Sequence, residues 1–445
     1  MRKYFGTDGI RGLVNSGNMT PEIALRLGVA SGHYFKSLVG RHLVIIGKDT
    51  RLSGYMVENA LVAGLTSAGM DAVLVGPVPT PAIHILTKSL RADAGIMISA
   101  SHNPYYDNGI KIFAPNGYKL SDNVELEIER LMDSDINELY ATPQKVGRAM
   151  RLDDVAVRYA EHIKNALPLE KSISGFKIAL DTANGAGYKI APKVFEELGA
   201  EIVQIGDNPN GKNINDGVGA TAPNKLSKLV VAENANIGFA LDGDADRLIV
   251  VDEKGNVIDG DQIIAIIANY LNSKQQLSGN VVTTVMSNMG LEEYLSNKNI
   301  GLTRTAVGDR YVVQEMQKSN SNLGGEQSGH IVASDFSTTG DGILAGIYVL
   351  CALIQSGKLA SDFCKAFKPY PQVLENVRVN NFSVLKKDEV VETIKQADIK
   401  LADTGRTLIR KSGTEPIIRV MAEARSTKLV RQVVDDIVAV IKKNI

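Results

Sequence analysis

Short apolar runs rich in β-branched residues alternate with helix-like segments along most of this chain, and that alternation most restricts its fold. "HLVIIG", "AVLVG" and "AGIMI" are separated by helical patterns from about Ser53 to Ala68 and after Pro81. Ahead of them, Thr20, Pro21 and Glu22 supply a cap, a first-turn proline and an early acid for a helix reaching about Phe35. A further helix around Val124 to Met132 closes this stretch. Strands joined by helices pair mainly in parallel, because a parallel neighbour needs a long crossover. The pattern restarts at "FKIALD" and again near Asp261, without literal repetition of sequence.

With 445 residues the chain is too long for one core, at roughly 150 residues per domain. The expected architecture is α/β: three consecutive α/β units with mixed, mainly parallel sheets at 1–150, 151–255 and 256–368. "FKPYPQV", Phe367 to Val373, reads as a linker, and a smaller α+β unit is expected at 369–445.

A net charge of -1 excludes a global field for nucleic acid or a membrane surface. Cys351 and Cys364 have no ligand-like spacing, which argues against a disulfide framework or zinc site. "MRKYFGTDGIRG" lacks the apolar run of a signal peptide. The apolar stretch Ile343 to Ile354 falls short of the ~20 residues that span a bilayer. The expected location is cytoplasmic.

Four polar loops carry the chemistry. The first lies in "GIMISASHNPYYDNGIKIF", Gly95 to Phe113. Ligands of open parallel sheets bind beyond the carboxyl ends of strands, which favours Ser101 over Ser99. His102 is a poor base for Ser101, since adjacent side chains of an extended segment diverge. No G-x-S-x-G elbow is present. The second loop, "LDGDADR", sets Asp242, Asp244 and Asp246 at alternate positions. Three such carboxylates on one face repel unless a cation neutralises them, and an oxygen-only set suits a hard ion such as Mg²⁺. An EF-hand is excluded, because its central glycine is Arg247 and a strand follows.

The third loop, "GGEQSGH", alternates Glu326, Ser328 and His330, a composition suited to a polyhydroxylated ligand. The fourth, "RKSGTEPIIR", places Ser412, Gly413 and Thr414 between Arg410 and Arg419 as an oxyanion site. "FGTDGIRG", "KDTR" and "VGDRYV" are lesser polar loops, for which solvated turns are the default. No nucleotide-binding motif is found. A serine, a divalent-cation site, a hydroxyl-binding loop and an oxyanion site together fit phosphoryl transfer on a sugar phosphate.

These motifs resemble the α-D-phosphohexomutases over the whole chain. "SASHNP" is similar to their phosphoserine loop, "DGDADR" to their magnesium loop, "GGEQSGH" to their sugar loop and "RKSGTEP" to their phosphate loop. The resemblance implies four domains around a central cleft. It implies a phosphoryl group on Ser101, and one Mg²⁺ per chain bound by Ser101, Asp242, Asp244 and Asp246. Arg11, Lys111 and His330 are then the acid/base and charge-stabilising groups. Arg247, Asp309, Arg310, Glu326, Ser328, Arg410, Ser412, Gly413, Thr414 and Arg419 bind substrate.

"RKYFGTDGIRG" and "ISASHNPYYDNGIK", with Gln327 before the loop serine, resemble the branch acting on glucosamine phosphates. That implies conversion of glucosamine 6-phosphate to glucosamine 1-phosphate, feeding UDP-N-acetylglucosamine and cell-wall synthesis. A sugar 1,6-bisphosphate serves as intermediate and activator. Mannose or glucose phosphates are the competing substrates, and a silent sugar-phosphate sensor is the competing class. The expected partner is a small sugar phosphate, with no nucleic acid or membrane; a homodimer is compatible with the sequence.

Overall fold

The computed structural model describes residues 2–36, 41–169, 171–411 and 416–445. The apolar runs become strands of four sheets with six, five, four and three strands. In the first sheet, Leu43–Lys48 is flanked in parallel by Asp71–Pro77 and Ala94–Ile98. The short strand Ala149–Arg151 extends this sheet in parallel. In the second, Lys177–Asp181 is flanked in parallel by Glu201–Ile205 and Ile237–Leu241. In the third, Val281–Thr284 is flanked in parallel by Leu302–Thr305 and Leu323–Gly325. The last sheet is antiparallel throughout. Three α/β units followed by a smaller α+β unit is therefore the observed fold.

Each of the three parallel sets runs into an antiparallel return, the last sheet has one too, and each return follows one of the four polar loops marked in the sequence. Ala94–Ile98 turns back into Asp107–Phe113, and Ile237–Leu241 into Leu248–Asp252. Leu323–Gly325 turns back into Ile331–Ala333, and Gly405–Lys411 into Ile417–Ala424. A helical crossover would carry the chain away from the strand ends. In the first three units the direct return leaves each loop there, with strands fixing both of its ends.

One core runs through the first three units. It centres on the helix Gly342–Ser356, which is apolar on all sides and buried accordingly. Asp341 caps this helix by accepting from the amides of Ile343 and Leu344. Tyr159, on the second unit's helix Val155–Lys164, donates its hydroxyl to both Asp341 oxygens at 2.8 and 2.9 Å. Burial pushes the Asp341 carboxyl up to about 6, against these hydrogen bonds. Among the described residues no helix is long and apolar enough to cross a membrane.

The seam between the first and third units is ionic. Arg310 lies between Asp122 and Glu125 and also donates to Leu120 O at 3.2 Å. Lys119 bridges Asp8 and Asp309. His84 Nδ1 lies 2.7 Å from the Thr338 hydroxyl across the same seam, and burial lowers its pKa to about 4. The last unit docks on the third through Arg406, which pairs with Glu423 and donates to Val285 O and Ser287 O at 2.9 and 2.8 Å. Tyr159→Phe would strip Asp341 of a buried charge-assisted donor and lower stability by about 1.5–3 kcal/mol; thermal unfolding of the folded variant checks this.

Candidate active site

Ser101 lies three residues past the strand Ala94–Ile98, in left-handed backbone with φ 52. Its Oγ donates to Asp242 Oδ2 at 2.6 Å. Ser99 instead faces inward and donates to Asp49 Oδ2 at 2.6 Å, which leaves it no route to a ligand. His102 departs from the sequence expectation. The left-handed turn at Ser101 breaks the alternation of an extended segment, and His102 Nδ1 comes within 3.3 Å of Ser101 Oγ. Burial, helped by Arg247 and Arg11, lowers the His102 pKa to about 4. The ring is therefore neutral near pH 7 and a weaker base than an unperturbed histidine.

Asp242, Asp244 and Asp246 are all buried, with ligand oxygens within 4.8 Å of one another. They converge for a different reason from the one expected. The loop is a turn, with Ala245 in left-handed backbone and its amide donating to Asp242 O at 3.0 Å. Gly243 lets this turn close on the serine loop, because a Cβ there would lie 2.5 Å from Ser101 O. Thr80, at the start of the helix Thr80–Ser89, braces Asp244 from the first unit. Its hydroxyl donates to Asp244 Oδ2 at 2.6 Å and its amide to Asp244 O at 2.9 Å.

The buried oxygens Asp244 Oδ1 and Asp246 Oδ1 have no hydrogen-bond partner among the described residues. Buried carboxylate oxygens are normally satisfied, so this donor set fits a bound divalent cation. Burial and the neighbouring Asp246 and Asp244 charges raise the Asp242 pKa well above the usual carboxylate range. Asp246 is the reverse case: burial opposes its charge, yet Lys111, His330 and Arg247 hold its pKa well below that range.

Lys111 projects from Asp107–Phe113 into the cluster, with Nζ 2.8 Å from Asp244 and 3.3 Å from Asp246. Burial disfavours its charge, but Asp244, Asp8 and Asp246 raise its pKa above that of a free lysine. Arg11 pairs with Asp8, which Lys111 approaches at 3.7 Å. Arg247 Nε lies 4.0 Å from Asp242 and 3.9 Å from Asp246.

His330 reaches the cluster from the third unit, with Nδ1 3.6 Å from Asp246 and Nε2 3.7 Å from Asp309. Burial works against its charge, while Asp246 and Asp309 raise its pKa. Its ring stacks over Gly340, where a Cβ would lie 2.5 Å from Cε1. Glu326 opens the same turn, accepts from the Gly308 amide at 3.1 Å and lies 3.5 Å from the Ser328 hydroxyl.

Ser101, the three aspartates, Arg11, Lys111, Arg247 and His330 thus form one centre, bordered by Glu326 and Ser328. Asp309 touches it through His330 and Lys119, whereas Arg310 is engaged in the seam. Arg410 and Arg419 sit opposite each other on paired strands. Neither has an ion-pair partner among the described residues, and burial together with Arg419 lowers the Arg410 pKa. Ser412, Gly413 and Thr414 lie outside the described residues. Sequence reading missed Thr80, Asp49, Lys119 and the individual role of Asp8. Only Asp8, in "FGTDGIRG", and Asp49, in "KDTR", stood in stretches it had marked.

The chain matches phosphoglucomutase/phosphomannomutase α/β/α domain I over residues 2–138, domain II over 157–255, domain III over 259–370 and the C-terminal domain over 374–440. It belongs to the phosphoglucomutase/phosphomannomutase family. Among its relatives, the phosphoglucosamine mutase of Rhizobium johnstonii is 55% identical over 441 residues, covering 99% of this chain and 98% of that one. That of Parvibaculum lavamentivorans is 54% identical over 444 residues, covering 100% and 99%.

A phosphoglucomutase/phosphomannomutase family protein from Burkholderia thailandensis shares the fold with TM-score 0.82 at 24% identity, covering 98% of this chain and 97% of that one. Aspergillus fumigatus N-acetylphosphoglucosamine mutase, solved with GlcNAc-6P and magnesium, does so with TM-score 0.67 at 17% identity, covering 99% and 96%.

A carboxylate whose folded pKa is raised costs stability above that pKa, and the cost disappears as pH falls through it. Asp242→Asn should therefore stabilise the chelator-treated protein at pH 7. It should lower divalent-cation affinity at the same time. Thermal unfolding in chelator and equilibrium dialysis with Mg²⁺ check the two effects.

Proposed function

We propose that this chain interconverts glucosamine 6-phosphate and glucosamine 1-phosphate by phosphoryl transfer to and from Ser101. The carrying observation is full-length identity of 55% to a phosphoglucosamine mutase. The Ser101 oxygen 2.6 Å from Asp242 supports the assignment of the carrier. The chain is thus an isomerase of the phosphohexomutase class, acting in the cytoplasm.

In the first half-reaction the bond from Ser101 Oγ to phosphorus breaks, and the sugar hydroxyl at C1 forms the new one. That hydroxyl gives up its proton, Ser101 Oγ regains one, and the product is the 1,6-bisphosphate. After the sugar turns over, its 6-phosphoryl group returns to Ser101 and glucosamine 1-phosphate leaves. Mg²⁺ held by Asp242, Asp244 and Asp246 would polarise the phosphoryl oxygens and offset developing negative charge.

The chain's own groups divide the remaining work. Lys111 holds its proton firmly, so it donates hydrogen bonds to the transferring group rather than abstracting protons. Arg11 and Arg247 add positive charge beside the carboxylates. His330 stands where a proton can pass between the sugar and the carboxylates. Glu326 and Ser328 take sugar hydroxyls. Asp309 and Arg310 help place the sugar by holding the third unit against the first. Arg410 and Arg419, two cations without a described anion, suit the phosphate that is not reacting. Ser412, Gly413 and Thr414 complete that site.

A coupled assay with glucosamine 6-phosphate, Mg²⁺ and a trace of sugar bisphosphate tests the reading. kcat/KM should favour glucosamine phosphates over mannose and glucose phosphates; a preference for glucose 1-phosphate would overturn the substrate assignment. Ser101→Ala should nearly abolish turnover in a folded protein, and the mass of one phosphoryl group should vanish from the intact-mass spectrum. Arg419→Ala should weaken substrate binding by about 1.5–3 kcal/mol, read in KM.

A further inference from the structure

The loop that carries Ser101 is wrapped around one guanidinium. Arg51 is fully buried. Its Nε donates to Asp49 Oδ2 at 2.8 Å. Nη2 donates to Ser101 O and Asn103 O, both at 2.8 Å. Nη1 donates to Pro104 O, and to Asp107 O at 3.2 Å. A guanidinium has five N–H donors, so none remains for a ligand, and Arg51 cannot act on substrate directly. Asp49 extends the hold. Its Oδ2 accepts the Ser99 hydroxyl at 2.6 Å, and Ser99 Oγ accepts the Ser101 amide at 2.9 Å. Ser101 is thereby held at its carbonyl by Arg51 and at its amide through Asp49 and Ser99.

Asn215, from the second unit, grips the same loop. Its Nδ2 donates to Ser101 O at 2.9 Å and to Asn103 O at 3.1 Å, the two carbonyls that Arg51 Nη2 also holds. Asn215 is itself fixed in left-handed backbone, φ 59, with its amide on Ala183 O at 2.9 Å. We infer that Arg51 and Asn215 are positioning residues that jointly lock the Ser101 loop, so that the serine oxygen stays in register with Asp242 on the neighbouring unit. The inference rests on the assignment of Ser101 as phosphoryl carrier.

The lock answers two physical demands. A non-glycine residue in left-handed backbone persists only where its surroundings over-determine it, and here four carbonyls and one amide do so. A phosphoryl group on Ser101 also brings negative charge toward three carboxylates, and repulsion pushes on the loop whenever that charge is incompletely neutralised. A misplacement near 1 Å costs about 100-fold in rate. Lysine cannot substitute for Arg51, because a compact ammonium with three donors cannot fork across four carbonyls and a carboxylate.

The test compares Arg51→Lys, Asn215→Ala and the double variant with the unaltered full chain, using glucosamine 6-phosphate, Mg²⁺ and sugar bisphosphate. Arg51→Lys should lower kcat by about 100-fold with KM unchanged. Asn215→Ala should lower kcat less, again with KM unchanged. Since both side chains hold the same two carbonyls, the double variant should lose less than the product of the single losses.

An unchanged kcat in a folded single variant would overturn the inference, as would a loss carried by KM or losses that multiply independently. Should Arg51→Lys fail to fold, Asn215→Ala carries the test, because Asn215 is only half-buried at the junction. An unaltered chain without mutase activity would overturn the functional reading itself. An active chain whose Asn215→Ala variant keeps full kcat would overturn only the lock.

Discussion

Three buried carboxylates within 4.8 Å of one another are the constraint around which the molecule is arranged. Left alone they would repel strongly in a medium less polarisable than water. The fold answers by bringing two cations and a histidine to them from several directions. Lys111 comes from the first unit, Arg247 from the position just ahead of the strand that leaves the aspartate turn, and His330 from the third unit. Arg11 and Lys119 continue the balance outward through Asp8 and Asp309. The result is an alternating network rather than a list of pairs, and it runs through the seam that joins the first and third units. Chemistry and assembly therefore share the same charges.

The antiparallel return is the device that makes this convergence possible. In each of the first three units a parallel strand ends at the centre and the next strand leads straight back. Both ends of each loop are then fixed, and side chains on the returning strand can serve the site. Lys111 and Arg247 show this directly, since both lie at or on a returning strand. The same device in the last unit sets Arg410 opposite Arg419. Like charges facing each other across a strand pair are unfavourable unless an anion joins them, which gives that pairing its meaning in an enzyme that handles sugar phosphates.

Much of this was legible from the amino-acid order. Apolar runs and helical spacing located most of the strands, and strand-end logic chose Ser101 over Ser99. The alternate aspartates were read as a cation site on an extended loop, whereas a turn at Ala245 brings them together. The argument against contact between Ser101 and His102 failed for the same reason, because left-handed backbone at Ser101 was invisible in the pattern. Thr80, Lys119 and Asn215 left no signal at all. Each acts across a unit boundary, on a partner more than a hundred residues away in the chain.

The sequence by itself determined the parts that depend on local chemistry: the α/β alternation, the serine at a strand end, the acidic triplet and the arginines around the last loop. Local patterning suffices there because strand period, turn composition and ligand type are properties of a few adjacent residues. Only the tertiary structure decided which charges neutralise which, that His102 reaches Ser101, and that Arg51 is saturated by four carbonyls and the Asp49 carboxylate while Arg410 and Arg419 have no described anion. Those outcomes depend on burial and on distances between segments remote in sequence, where the low local dielectric makes a few ångströms decide whether a group is a structural tie or a working part of the site.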